Sequence, residues 1–459
     1  MLTDSRVQRL ITPVLKRPFV FLETTMPDRL NRQCLLFKDF EAILTFSAGE
    51  NPKEFFASIE RYLSKGYWAC GYFEYEFGYV LEPALAALCA KGNRPLAWIG
   101  ICRKPLELRM PAPGRPDSAD LHKYHLRDGC VGIRAAVDYA NYRKSIAHIH
   151  RWLKEGQTYQ INYTFGLKFR CPGGPLPLYL RLRHSQPTSY TAWVHTGTSH
   201  ILSFSPELFF RKDGRQITVC PMKGTVRRGL SASEDAAQRA GLARDEKIRS
   251  ENLMIVDLLR NDLGRISQHV RAGTLFEIQK FRTLYQMIST IRARLKKGIG
   301  LEAVFRALFP SGSVTGAPKI RSMQLIRRLE AAPRGVYTGA IGYLHGAKAC
   351  LNVPIRTLTI RGKSGSMGVG GGIVEASEAA SEYREALLKS EFLKSDLRDF
   401  YVFETMAWQK GRGTAHAGLH LKRLAATCDY FQIPFSTRAA VARLRELAVR
   451  LRRDRARLR

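Results

Sequence analysis

The chain has 459 residues, of which 45% are hydrophobic and 25% charged, and carries a formal net charge of +33. This length supports one large core or two to three domains, and the composition is that of a globular chain. No run of about 18 apolar residues occurs, which argues against an apolar membrane span, and nine scattered cysteines without a CxxC pair argue against a disulfide frame or a zinc site.

The N-terminus, MLTDSRVQRLITPVLKRPFV, lacks the continuous apolar stretch of a secretory signal, so a cytoplasmic location is expected. The excess of Lys and Arg suits nucleic acid or an anionic substrate. It is mostly dispersed and accompanies no zinc-finger or aromatic-basic motif, so the anionic substrate is favoured and nucleic acid is disfavoured. Residues 68–81, WACGYFEYEFGYVL, read as a strand followed by a helix or turn. Residues 103–129 are rich in Pro and charge and read as a linker or surface excursion between an N-terminal subdomain (1–102) and a second block (130–397). In 139–156, Tyr142, Ile146, Ile149 and Leu153 recur at helical period, with Gly156 as a stop. Residues 158–169 alternate like a strand, and 200–225 read as a hairpin around Asp213-Gly214. Residues 244–267 read as a helix and 336–360 as a second hairpin, turning near Gly346. Helix resumes from Glu378 to about Leu397. Hairpin strands with intervening helices predict an α+β fold with antiparallel sheets.

Several residues invite chemistry. Glu251 shares a helical stripe with Met254, Ile255 and Leu258, which puts a carboxylate on an apolar face, where it needs a cation, a donor or a proton. Glu382 and Glu385 are spaced i, i+3; such a pair repels unless a cation joins it, and an all-oxygen set suits magnesium, although Glu385 can also simply pair with Lys389 at i+4. The segments GVGGGIV (368–374) and FPSGSVTGAPK (309–319), the latter with Thr315 and Gly316, are candidate anion cradles of main-chain N–H groups. Lys319 follows the second loop, but the P-loop spacing is absent. Arg356 lies in an apolar strand with no local acid and suits a carboxylate. Lys223 follows a strand; burial would lower its pKa and make it a nucleophile. Together these parts suit a small polycarboxylate and a magnesium ion.

The segments SENLMIVDLLRNDLGRI, FPSGSVTGAPKIRSM, GAIGY, PIRTLTI and GVGGGIVEASEAASEYREALLK closely resemble the chorismate-utilising enzymes, strongly over about 130–397 and more loosely over 19–102. The resemblance implies stacked antiparallel β-sheets flanked by helices, with the site in a cleft between them, and chorismate and magnesium as ligands. It implies Glu251 and Glu385 as metal ligands with Glu382 nearby. It further implies Tyr343, Arg356 and the main chain of Gly370, Gly371 and Gly372 as the grip on a carboxylate. In the water-adding branch a lysine base stands at the position of Gln160; glutamine matches the amine-adding branch. Lys223 resembles the lysine of aminodeoxychorismate synthase component I, which is thought to add to C2 of chorismate, rather than the alanine typical of anthranilate synthase component I. FLET (21–24) suits either branch. Gln286 stands where many relatives have histidine, and Ile248 where an acid is common. No segment resembles a glutamine amidotransferase, so the resemblance implies a separate partner subunit or free ammonia.

Residues 398–459 differ from the rest. The stretch DFYVFETMAW…AHAGLHLKRLAATCDYFQIPF resembles the start of a class IV pyridoxal-phosphate enzyme such as aminodeoxychorismate lyase, with Arg423 at its phosphate-binding arginine. That family's Schiff-base lysine would fall beyond residue 459, so this segment is expected not to act as a lyase on its own.

Overall fold

A computed structural model describes residues 1–27, 31–90, 92, 94–108, 129–281, 284–394, 402–431, 433, 435–451 and 454–458. Most of the expected excursion, 109–128, lies outside these residues. Among them, two large antiparallel sheets lie face to face. The first has ten strands. Its central run is Gln160–Arg170, Ser364–Ile373, Thr357–Arg361, His200–Ser205, Tyr190–His195 and Phe19–Glu23. The second has nine, including Leu208–Asp213, Lys348–Asn352, Ala340–His345, Trp68–Phe73 and Ala97–Cys102.

Side-chain alternation explains the layering. Phe19 and Phe21 face helices on the outside of the first sheet, while Val20 between them faces the second sheet. Val20, Phe37 and Val194 from the first sheet thus meet Cys70, Trp98 and Ile341 from the second. The helices Asp4–Ile11, Tyr139–Lys154, Pro175–Ser185, Lys319–Leu329 and Ala379–Leu388 cover the first sheet. The helices Pro52–Ser64, Glu246–Ile266 and Leu301–Leu308 cover the second. Local chemistry sets their ends. Asn51 and Asp138 accept main-chain N–H bonds from Lys53 (3.0 Å) and Asn141 (2.8 Å) as N-caps, and Gly156 closes the helix 139–154 with φ +67°. The last of these helices ends at Leu388, short of the expected Leu397.

One sequence expectation changes. The N-terminal residues 1–102 form no separate unit: Phe19–Glu23 pairs with Tyr190–His195, and Trp68–Phe73 pairs with Ala340–His345. Arg183, buried in the helix 175–185, also pairs with Asp4 and Glu23. Both expected hairpins form within the second sheet, Leu208–Asp213 with Gln216–Cys220 around Asp213-Gly214 and Ala340–His345 with Lys348–Asn352 around Gly346, but the strands that flank them cross to the first. His200–Ser205 lies in the first sheet and Leu208–Asp213 in the second; Lys348–Asn352 lies in the second and Thr357–Arg361 in the first. The crossings carry Pro206 and Pro354, which lack the N–H a ladder needs. They are bonded to each other instead: Val353 N–H donates to Glu207 O at 3.0 Å.

A three-stranded sheet, Met222–Arg227, Leu284–Ile288 and Glu277–Lys280, stands apart from the two large ones. Residues 402–458 add a small sheet (Met406–Gln409, Gly413–Thr414, Arg455–Leu458) and the helices Ala417–Tyr430 and Thr437–Arg450. No helix among the described residues is long and apolar enough to cross a membrane.

Candidate active site

The two crossings build the site. Glu207 sits on one and is buried; Ser313 Oγ donates to its Oε1 at 2.5 Å. Burial pushes its pKa up to about 7, against the pull of the Ser313 hydroxyl and of Lys223. Arg356 sits on the other crossing, with φ +51°. It directly precedes the strand Thr357–Arg361, which pairs with the glycine strand Ser364–Ile373. Its Nη1 donates to Gln186 Oε1 at 2.9 Å, and among the described residues no carboxylate offsets its burial. Burial lowers its pKa to about 10. A guanidinium held this way has spare donors for a carboxylate.

Lys223 enters from the three-stranded sheet. The register slips between Lys223 and Thr225, a bulge at Gly224 (φ +76°) that re-aims the lysine. A Cβ placed on Gly372 would lie 3.1 Å from Lys223 Nζ and would collide with the Gln160 amide. Glycine at 372 therefore leaves the room in which lysine, glutamine and main chain converge. Gln160 is buried and its Oε1 has no hydrogen-bond partner among the described residues. Burial lowers the Lys223 pKa; Glu251 and Glu207 oppose the shift.

The acidic side is formed by Glu251, Glu382 and Glu385. Burial raises the pKa of Glu251 and of Glu382, and the three carboxylates feel one another's charge. Ser377 Oγ donates to Glu382 at 2.8 Å. Lys389 lies among them: its Nζ donates to Gly370 O at 2.8 Å and pairs with Glu385 at 3.0 Å. Among the described residues no three His, Cys, Asp or Glu side chains form a ready metal cage. The donor set is nonetheless all oxygen, at a place that already draws a cation, which fits magnesium.

Tyr343 is not brought to the glycines. It lies in the second sheet between Cys70 and Cys350, its ring near Trp68 (5.4 Å) and its hydroxyl on Gln33 (3.3 Å). The alternation of its strand turns it into the gap between the sheets. Tyr337, six residues earlier, stands against Gly368 instead, where any side chain at 368 would strike its ring. Thr315 and Gly316 are also committed elsewhere. The Thr315 hydroxyl donates to Ser311 O at 3.2 Å, its carbonyl accepts from Asn162 N–H at 2.8 Å, and Gly316 pairs with Ile161. Lys319 is structural: its Nζ reaches Asp262 at 2.6 Å and two helix-end carbonyls. Ile248 seals the lysine strand against its helix, since a side chain at 224 would strike it. Gln286 is buried in the neighbouring strand.

Sequence reading missed Glu207 and Tyr337, whereas the i, i+4 pairing it allowed between Glu385 and Lys389 forms. Glu207 had a signal: in SFSPELFF it is the one charge in an apolar run, the same anomaly that singles out Arg356.

A match to the chorismate binding enzyme family spans residues 23–395. An aminodeoxychorismate synthase of Streptomyces pristinaespiralis is 43% identical over 272 residues, 58% of this chain and 37% of that protein. An aminodeoxychorismate synthase component 1 of Klebsiella aerogenes is 36% identical over 262 residues, 56% of this chain and 57% of that one. The matched part of the chain thus spans between about a third and three fifths of these relatives. The crystal structure of anthranilate synthase component I from Streptococcus pneumoniae superposes with a TM-score of 0.67 at 23% identity, covering 81% of this chain and 94% of that one, a likeness of fold.

Proposed function

The chain belongs to the chorismate binding enzyme family, and we propose that within it the chain aminates chorismate to 4-amino-4-deoxychorismate, as component I of an aminodeoxychorismate synthase. The observation that carries this reading is Lys223, a lysine with a depressed pKa, facing Gly372 and Gln160 and coupled to the buried Glu207.

Burial leaves Lys223 a larger neutral fraction, and only the neutral amine attacks carbon. Its lone pair forms a bond to C2 of chorismate. The ring double bonds shift and the C4–O bond breaks. Glu207, with its raised pKa, is the group that gives the departing hydroxyl a proton, so that water leaves. Ammonia then bonds to C4, the electrons return, and the C2–Nζ bond breaks to free Lys223. Arg356 holds a ring-system carboxylate by its unspent donors, and Tyr337 closes that end over Gly368. The absence of side chains at 370–372 lets the substrate lie on the main chain. Glu251, Glu385 and Glu382 are the residues that would hold magnesium, which supplies a Lewis acid and a template for a carboxylate. Ammonia would come from a glutamine amidotransferase partner or from solution, and the setting would be the cytoplasm.

The test is product identity. The purified chain is supplied with chorismate, magnesium and ammonium. A non-aromatic amino product that an added lyase converts to p-aminobenzoate is expected. Fluorescent anthranilate would overturn the reading in favour of anthranilate synthase component I.

A further inference from the structure

The family match ends at residue 395, yet the chain continues into a folded segment that touches the sheet carrying Lys223. Arg228 directly follows the strand Met222–Arg227. Its guanidinium forks onto Asp235 at 2.6 and 2.7 Å and donates to Phe281 O at 3.2 Å. Its side chain is only 5% exposed. Two tyrosines stack on it. Tyr285, of the neighbouring strand, has its ring centre 5.0 Å from the guanidinium carbon; Tyr430, at the end of the helix Ala417–Tyr430, has its ring at 4.7 Å. The Tyr430 hydroxyl also donates to the carbonyl of Gly229. Next to it, Asp429 accepts from Lys280 Nζ at 2.7 Å. Lys280 ends the third strand of the same sheet, and Lys223 is paired across that sheet with Met287.

We propose that the segment 402–458 is a brace for Lys223, with Tyr430 as a positioning residue that acts through Arg228; the catalytic half of this inference rests on the reading of Lys223 given above. The sheet is placed to be steadied by such a brace. It has three strands, lies outside the two large sheets, and is bulged at Gly224, next to the lysine. The chain that leaves it is open to solvent, Leu230 being 93% exposed. The helices Ala232–Arg244 and Glu246–Ile266 already pack on it, so the segment steadies the end of the lysine strand rather than the whole sheet. The Lys280–Asp429 pair contributes little, since Asp429 is exposed and screened. The cation stacked between two rings, with its fork on Asp235 and the Tyr430 hydrogen bond, is the specific contact. A small displacement of Lys223 is enough to matter, because attack on carbon requires near-contact geometry.

The full-length chain with Tyr430→Ala and with Tyr430→Phe tests this, read by amide hydrogen exchange and by steady-state kinetics with chorismate and ammonium. Tyr430→Ala is expected to raise exchange over 222–229. It is also expected to lower kcat by about tenfold with KM little changed, the scale of a mispositioned reacting group. Melting of the main body should not shift. Tyr430→Phe keeps the ring and is expected to restore most of both. Unchanged exchange over 222–229 in Tyr430→Ala overturns the brace. Raised exchange with unchanged kcat overturns its catalytic role, and so does a kcat loss that only follows a lowered melting temperature. If the chain makes a different product, the exchange arm still decides the docking by itself.

Discussion

Lys223 and Glu207 form a pair whose two pKa values are moved toward each other. The lysine must be neutral to attack, so the rate should rise as pH climbs through its lowered pKa. The glutamate must be protonated to assist the leaving hydroxyl, so its ionisation above about 7 opposes the lysine's gain, and the profile should bend over and then fall once the lysine is fully neutral. The two limbs report the pair rather than either residue alone. Glu207→Gln should lower kcat and abolish the fall on the alkaline side; a pH–rate profile of both proteins checks it. Lys223→Ala should cost at least about a thousandfold in amination, as removal of a covalent nucleophile does, and full activity in that variant would end its assigned role. Lys223 was legible in the sequence because a lysine between a strand and a glycine invites the question of burial. Tyr337 was not: GVYTGAIGY offers two tyrosines, and only the start of the strand at Ala340 decides which of them meets the glycines.

At the scale of elements, the helix Ala379–Leu388 brings Glu382 and Glu385 to the glycine strand, and Lys389 directly after it supplies a cation of its own. Lys389→Met should therefore tighten magnesium binding, measured by titration calorimetry without substrate. The effect should be roughly two- to fivefold, the range that a partly exposed ion pair supports. The helix Leu301–Leu308 performs a purely structural task. Phe305 is fully buried, its ring 4.4 Å from that of Phe73 and 5.0 Å from that of Phe56. Phe305→Ala should cost about 3–5 kcal/mol of unfolding free energy in a denaturant titration. The first helix is legible in the sequence, though with a later end; the second, only eight residues long and without a side-chain N-cap, is not. The crossings at Pro206 and Pro354 could not be read either, because a strand that leaves one sheet for another has the same alternation on either side of the break.

For the whole molecule, a formal charge of +33 would act from a distance on the dianionic substrate proposed above. Added salt shortens that reach, so kcat/KM for chorismate should fall severalfold between about 0.05 and 0.3 M ionic strength while kcat stays nearly constant. Charge is additive along the chain, so this field needs no fold to be known. The same holds for period, cap and turn signals, which depend on neighbours a few residues apart. They determined the α+β class, the main helices, and the glycine, glutamate, arginine and lysine motifs. The tertiary structure alone decided how residues 1–102 interleave with 130–397, that Glu207 and Lys223 come near enough to feel each other's charge, that the Thr315 hydroxyl donates to Ser311 O, and that Tyr430 reaches Arg228 from about 200 residues later. Such contacts arise from burial and partner satisfaction among distant segments, and no local pattern encodes which distant group will fill a given place.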